Sequence, residues 1–345
     1  MTFRRSGLLV LACLSPLPCL PLAACAGKPA TSLSSSTPGA AVASLEIGPW
    51  TTHLGEHHPL VGRIYDVRQG RSVSREQAVA RVRAASVVVL GEKHDNPDHH
   101  RIEAALLGVA VEGRKAALVV EMIPRDKQPA LTGFHGTPEA LALAVDWDHS
   151  GWPAFAEYRP VFATALDHQL PIYAGDMPQA TAHLVAHHGL AAVDPALATR
   201  FDLAAPLPVE EQKRLEQEVA DVHCDMLPPA FLPAMSLAQR VRDASLAGAV
   251  LDARGAAGER TDVTVLVGGD GHARRDRAVP ALLVKAGVPA DKVLSVAILE
   301  VDDSWTQPSD YARELHASTL PFDLVWFTPR ANEDDPCAKM TAPKK

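Results

Sequence analysis

The stretch Ser86 to Arg101, reading SVVVLGEKHDNPDHHR, does most to limit what this chain can become. Val87 to Leu90 is a β-branched run without a polar break, the pattern of a strand covered on both faces of a parallel sheet. Gly91 then turns the chain, Glu92 and His94 follow at once, and Asn96-Pro97 offers an N-cap and first position for an amphipathic helix over Arg101 to Val111. An acid and an imidazole are thereby expected in a strand-to-helix loop, at the edge where open α/β sheets bind ligands.

Five further runs have the same character: Ala116 to Met122 with Glu121, Leu170 to Asp176, Asp262 to His272, Lys292 to Glu300, and Asp323 to Thr328. Helix-forming stretches separate most of them, which calls for β-α-β crossovers and an α/β fold, a mostly parallel sheet flanked by helices. Parallel strands end on one edge, so Glu92, His94, Glu121, Asp270 and His272 should meet there although the chain scatters them. Two imidazoles with two or three carboxylates suit zinc, manganese or iron, or an acid/base pair with an orienting partner. His94, His272 and one or both of Glu92 and Glu121 are the expected metal ligands.

Between the third and fourth of these six strands, residues 189–258 hold helix formers and no strand pattern, and read as a helical cap. Glu210 to Val222 and Met235 to Leu251 are its amphipathic segments, split by the proline-rich Leu227 to Pro233. Gln239, Arg242 and Asp243 share one face of the second segment, pointing either to solvent or to the site. Ser74 to Gln77 is a capping box opening a helix through Ala85, and Thr51 to Asp66 reads as a solvated entry segment.

Arg4 and Arg5 precede an apolar stretch from Gly7 to Leu22 that ends in Leu22-Ala-Ala-Cys25. The order of charged, apolar and small residues is that of a secretory signal, and Pro16, Pro18 and Pro21 argue against a stable membrane-spanning helix. Leu-Ala-Ala-Cys resembles the bacterial lipobox, which implies a signal over 1–24 and an acyl group on Cys25. Residues 25–44, rich in Ser, Thr, Ala, Pro and Gly, read as a flexible tether to a folded domain over 45–345. Ala26 favours, by the same resemblance, the outer membrane facing the periplasm. Cys224 and Cys337 remain in the folded part, and an exported compartment permits a disulfide between them. A formal charge of −8 and the lack of a basic stripe with interleaved aromatics argue against a nucleic-acid partner.

Gly91-Glu-Lys-His-Asp-Asn-Pro-Asp-His-His, Val120-Glu-Met, Trp152 to Pro160, His223-Cys224, Ala238 to Asp243 and Gly268-Gly-Asp-Gly-His272 together resemble the ChaN-like haem-binding lipoproteins, grouped with the Tiki proteases, TraB and erythromycin esterase. The resemblance runs from about His58 to Glu300. Ala278 departs from it, standing where a glycine is expected. The resemblance implies haem or iron acquisition or storage by a homodimer, with non-covalent haem on a tyrosine, for which Tyr158 and then Tyr65 are the expected residues, and Arg159, His99 and His100 around the propionates. It also implies catalytic roles for Glu92, His94, Glu121 and His272, so a metal-dependent peptidase or esterase is the alternative, and a tethered interaction module without chemistry the third. No Gly-x-Ser-x-Gly, His-Glu-x-x-His or Cys-x-x-Cys occurs.

Overall fold

The computed structural model describes residues 45, 47–255, 260–333 and 337. The expected signal, the tether and Cys25 lie outside the described residues.

Eight strands form one sheet: β1 (Ile64–Asp66), β2 (Arg71–Val73), β3 (Val87–Glu92), β4 (Ala116–Pro124), β5 (Ile172–Asp176), β6 (Val263–Gly269), β7 (Val293–Glu300) and β8 (Leu324–Thr328). Their order is β2-β1-β8-β7-β3-β6-β4-β5. The six from β8 to β5 pair in parallel, while β1 and β2 add an antiparallel edge. The parallel α/β core expected from the β-branched runs is the one found. The β1–β2 hairpin replaces part of what reads as an entry segment, and it fills the edge beside β8.

Twelve α-helices surround the sheet among the described residues. α1 (Arg75–Ala84), α2 (Pro97–Val111), α3 (Gln128–Leu131), α4 (Pro138–Ala144) and α5 (Phe155–Asp167) come first. α6 (Gln179–His188), α7 (Pro195–Arg200), α8 (Val209–Val222), α9 (Leu232–Gly255), α10 (Asp270–Ala273), α11 (Val279–Lys285) and α12 (Pro308–Glu314) follow. Ser74 makes the capping box of α1, and Asn96 accepts from the Asp98 amide with Pro97 at the start of α2.

Period-two alternation splits β3 between two cores. Val88 and Leu90 pack with Ile102, Leu106 and Phe162 on the α2/α5 face, and Val87 and Val89 with Leu246, Val250 and Leu283 on the α9/α11 face. Burying both faces of a central strand is what a run of four valine and leucine residues stabilises, at about 1.5–3 kcal/mol per fully buried side chain. Ala278 has φ −92°, so its methyl meets no backbone objection where a glycine is expected. Cys224 and Cys337 form a disulfide. No described helix is long and apolar enough to cross a membrane.

Candidate active site and cavity at the strand ends

The carboxyl ends of β3, β4, β5 and β6 carry Glu92, Glu121, Asp176 and Gly269, and the register sets Glu92 opposite Gly269. Close approach at this edge depends on small residues. A Cβ on Gly91 would stand 2.6 Å from the Ala273 Cβ, and one on Gly268 2.7 Å from Glu121 Oε2.

Glu92 is buried, and its Oε1 lies 2.6 Å from His94 Nδ1 and accepts from the Tyr158 hydroxyl at 3.0 Å. Burial would raise this carboxyl, but the imidazoles of His100 and His94 outweigh it and hold it at about 2. Burial likewise opposes a charge on His94, and the Glu92 carboxylate overcomes that and raises the imidazole to about 9. The His94 ring is 40% exposed, meets Trp152 edge-on, and its Nε2 makes no hydrogen bond among the described residues.

Glu121 anchors the second half of the site. Its Oε2 accepts from the Gly269 amide at 2.6 Å, while Oε1 accepts from Arg242 Nη2 at 2.6 Å and lies 3.3 Å from His272 Nε2. The same Arg242 nitrogen donates to Asp176 Oδ2 at 2.7 Å and its Nε to that oxygen at 3.0 Å. His272 Nδ1 lies 2.6 Å from Asp243 Oδ1. Burial disfavours the imidazolium, but Glu121 and Asp243 raise His272 to about 10. Against its own desolvation, Glu121 is held well below the usual carboxylate range by His272 and Arg242. His94 and His272 thus line one mouth, each paired with carboxylates of its own, and the polar face of α9 is turned to the site. Asp176 and Asp243 complete the network. Asp176 was legible only as the end of a strand, and Asp243 only as one member of a polar helix face.

The residues expected around haem are engaged in contacts within the protein. Tyr158 is fully buried, with its hydroxyl on Glu92 and its ring 3.9 Å from that of His100. It positions Glu92, and its hydroxyl is engaged there. His99 and His100 are fully buried as well. His99 Nδ1 accepts from the Lys93 amide at 2.9 Å, Nε2 lies 2.8 Å from Thr328 Oγ1, and burial lowers the imidazole to about 3. A neutral ring with both nitrogens engaged holds no propionate. Arg159 is exposed and its Nε donates to Glu139 at 2.7 Å, joining α5 to α4. Tyr65, on β1, is half-buried with its hydroxyl near the Gly70 turn. Because β1 runs antiparallel to β8, that turn lies at the sheet edge away from the strand carboxyl ends.

The metal expectation meets a donor set that is already engaged. Arg242 occupies Glu121 and Asp176, and Nδ1 of each imidazole faces a carboxylate. Among the described residues no group of three or more His, Cys, Asp or Glu side chains is arranged to hold a metal ion. The four residues therefore meet as expected, but as hydrogen-bonded ion pairs.

A cavity of about 580 Å³ opens over them, within the usual range for a small-molecule pocket. Lys93, His94 and Arg242 line one side, and Ile298, Trp305 and Leu315 give an apolar wall. Tyr311 also lines it, but is buried with its hydroxyl accepting from the Asp302 amide at 2.9 Å.

A comparison with curated proteins found no match. Among solved structures, this chain is similar to ChaN of Campylobacter jejuni, described for cofacial haem binding, at 17% identity and a TM-score of 0.55, over 76% of this chain and 95% of that one. It also matches the erythromycin esterase EreC at 13% identity and a TM-score of 0.41, over 76% and 95% of the two chains. Residues 78–283, which include the whole ring of ion pairs, match the family described as "Haem-binding uptake, Tiki superfamily, ChaN", and the chain belongs to that family.

Proposed function

We propose that the protein binds haem without covalent attachment over the strand-end cavity, and serves haem or iron acquisition or storage. The observation that carries the reading is the matched span itself, since residues 78–283 contain both the cation-bearing side of the cavity and its α8–α9 cap. The apolar wall suits the macrocycle, and Lys93, whose Nζ donates to Glu300 Oε2 at 2.8 Å, suits a propionate that takes the place of that carboxylate. A carboxylate on Nδ1 with Nε2 free is the arrangement found in many metal-bound histidines, so His94 is the ring assigned to the iron. Tyrosine ligation at a dimer interface, the arrangement implied by the family resemblance, is the competing arrangement, and of the two expected tyrosines it falls to Tyr65, since the hydroxyl of Tyr158 is engaged. An acyl group on Cys25, with anchoring to the outer membrane on its periplasmic face, belongs to the same proposal and is read by mass spectrometry of the N-terminal peptide.

The test is a haem titration followed at the Soret band. Wild type should bind near stoichiometrically, His94→Ala should lose the spectrum of the wild-type complex, and Tyr65→Phe should retain it. Loss in Tyr65→Phe with retention in His94→Ala would overturn the mouth and favour the dimer edge. Because bound His94 must shed its Nε2 proton, affinity should rise about tenfold per pH unit below about 9 and level above it.

The Glu92–His94 pair also favours a second reading, acid/base hydrolysis at the same mouth, because Glu92 keeps the imidazole protonated up to about pH 9 and leaves its Nε2–H free to act as a general acid. A chromogenic ester whose turnover is lost in His94→Ala and kept under chelator would support it. Neither haem binding nor turnover would leave the tethered module.

A further inference from the structure

A second cavity, of about 260 Å³, is walled by the α7–α8 connection, α8, α9 and α11, and shares no lining residue with the one at the strand ends. Its size admits only a small molecule. Phe201, Leu203, Leu215 and Leu282 make one side apolar. Among the charged groups that line it, Lys285 is paired with Asp202 at 3.3 Å, and Asp276 with Arg274 at 2.8 Å. Four others are not fully satisfied. The Arg277 side chain is only 8% exposed; its Nη2 donates to Glu218, while Nε and Nη1 are buried without a hydrogen-bond partner, a costly state for donors. Asp243 Oδ2 stands 3.9 Å from that Nη1, too far for a hydrogen bond, and Oδ1 is taken by His272. Arg240 Nη2 donates to the Leu203 and Ala205 carbonyls at 3.2 and 3.0 Å. Its Nε and Nη1, and the Glu211 carboxylate, make no hydrogen bond among the described residues.

Arg240 and Arg277 thus face Asp243 and Glu211 around an apolar wall. An anion would meet the arginines but crowd the carboxylates, and a cation would do the reverse. A ligand that brings one charge of each sign meets both sets and adds no net charge to a partly desolvated site. We propose that this cavity binds a small zwitterion with an apolar body, an apolar α-amino acid, with its carboxylate towards Arg240 and Arg277, its ammonium towards Asp243 and Glu211, and its side chain against Phe201, Leu203 and Leu215. Asp243 links the two cavities, because its other oxygen holds His272 Nδ1 at 2.6 Å and His272 lines the strand-end mouth. Occupancy of the second cavity is therefore felt at His272 without a ligand entering the first. The site depends on neither haem binding nor hydrolysis at the mouth.

Nitrogen-labelled full chain, free of haem, is titrated with leucine, with 4-methylpentanoate, which lacks the ammonium, and with 3-methylbutylamine, which lacks the carboxylate. Leucine should shift the amides of Leu203, Leu215 and Ala281 to saturation and move the His272 ring nitrogens. Each half-molecule should bind about tenfold more weakly or worse, the loss expected for one charged hydrogen-bonding group. Ala281→Phe, which fills the cavity from α11, should abolish leucine binding while amide exchange at Val87 to Leu90 stays unchanged. Arg240→Met should weaken leucine about tenfold and leave 3-methylbutylamine unaffected. No shift with leucine at about 10 mM would overturn the site. Equal binding of 4-methylpentanoate would make it a plain anion pocket and overturn the zwitterion. Shifts confined to His94 and Gly269, or leucine binding that survives in Ala281→Phe, would place the ligand elsewhere and overturn the assignment. Saturable binding that leaves the His272 ring unmoved would overturn the link through Asp243.

Discussion

Replacing Arg242 with methionine isolates the interaction on which the site is built. The guanidinium holds two carboxylates at 2.6 Å and 2.7 Å, and both are largely shielded from water. Without it Glu121 keeps the Gly269 amide and His272, and Asp176 keeps only the Met177 amide at 2.8 Å. Removing one partner of a buried pair costs roughly 3–5 kcal/mol, because the other charge stays behind. Arg242 is 29% exposed, which allows water to reach the gap, so the lower end of that range, about 3 kcal/mol, is expected. With a urea slope of about 2–3 kcal/mol per molar, the unfolding midpoint should fall by about 1 M. Glu121→Gln/Arg242→Met should recover more than half of the loss, since contacting groups are strongly non-additive. His272, freed of a competing cation on Glu121, should hold its proton to still higher pH by imidazole NMR. A loss below about 1 kcal/mol, the size of an exposed pair, would show that the network does not exist as described.

Further outcomes follow from the same contacts. His94 and His272 are raised from 6.5 to about 9 and about 10, so their contribution to stability is complete below pH 6.5 and is lost as pH rises through 9 to 10; urea midpoints against pH should show this, and Asp243→Asn should flatten it. Glu92, lowered from 4.5 to about 2, contributes above pH 4.5, and that contribution is lost as pH falls towards 2. Tyr158→Phe removes one hydrogen bond to Glu92 and should cost about 1 kcal/mol while leaving the haem spectrum in place. Gly268→Ala puts a methyl against the Glu121 carboxylate, and a calorimetric melting point should fall by several degrees for a loss of roughly 1–3 kcal/mol. Cys224→Ser/Cys337→Ser should cost roughly 2–4 kcal/mol by opening the cross-link.

The strands were legible because a parallel sheet demands continuous β-branched runs, and Val87 to Leu90 has no other use. The convergence of Glu92, His94, Glu121 and His272 followed from strand direction alone. The β1–β2 hairpin was not visible, since three-residue strands such as Ile64–Asp66 carry no periodicity. The burial of Tyr158, His99 and His100 was not legible, for one physical reason. They are polar residues on the inward faces of α5 and α2, where hydropathy shows an outward position and the fold supplies a buried network. Glu103, one turn beyond His99 and fully buried with both oxygens unpartnered, belongs to the same layer. Arg242 and Asp243 could be placed on one helix face, but which way that face turned depends on how α9 packs over β4, β5 and β6, and no local pattern records it.

Paramagnetic broadening of nitrogen-labelled histidines by ferric haem locates the ligand most directly. With haem at the strand-end mouth, the His94 and His272 signals should vanish while those of exposed His53, His57 and His188 persist. Sharp His94 and His272 resonances beside a broadened Tyr65 amide would put the haem at the far edge of the sheet and contradict the account.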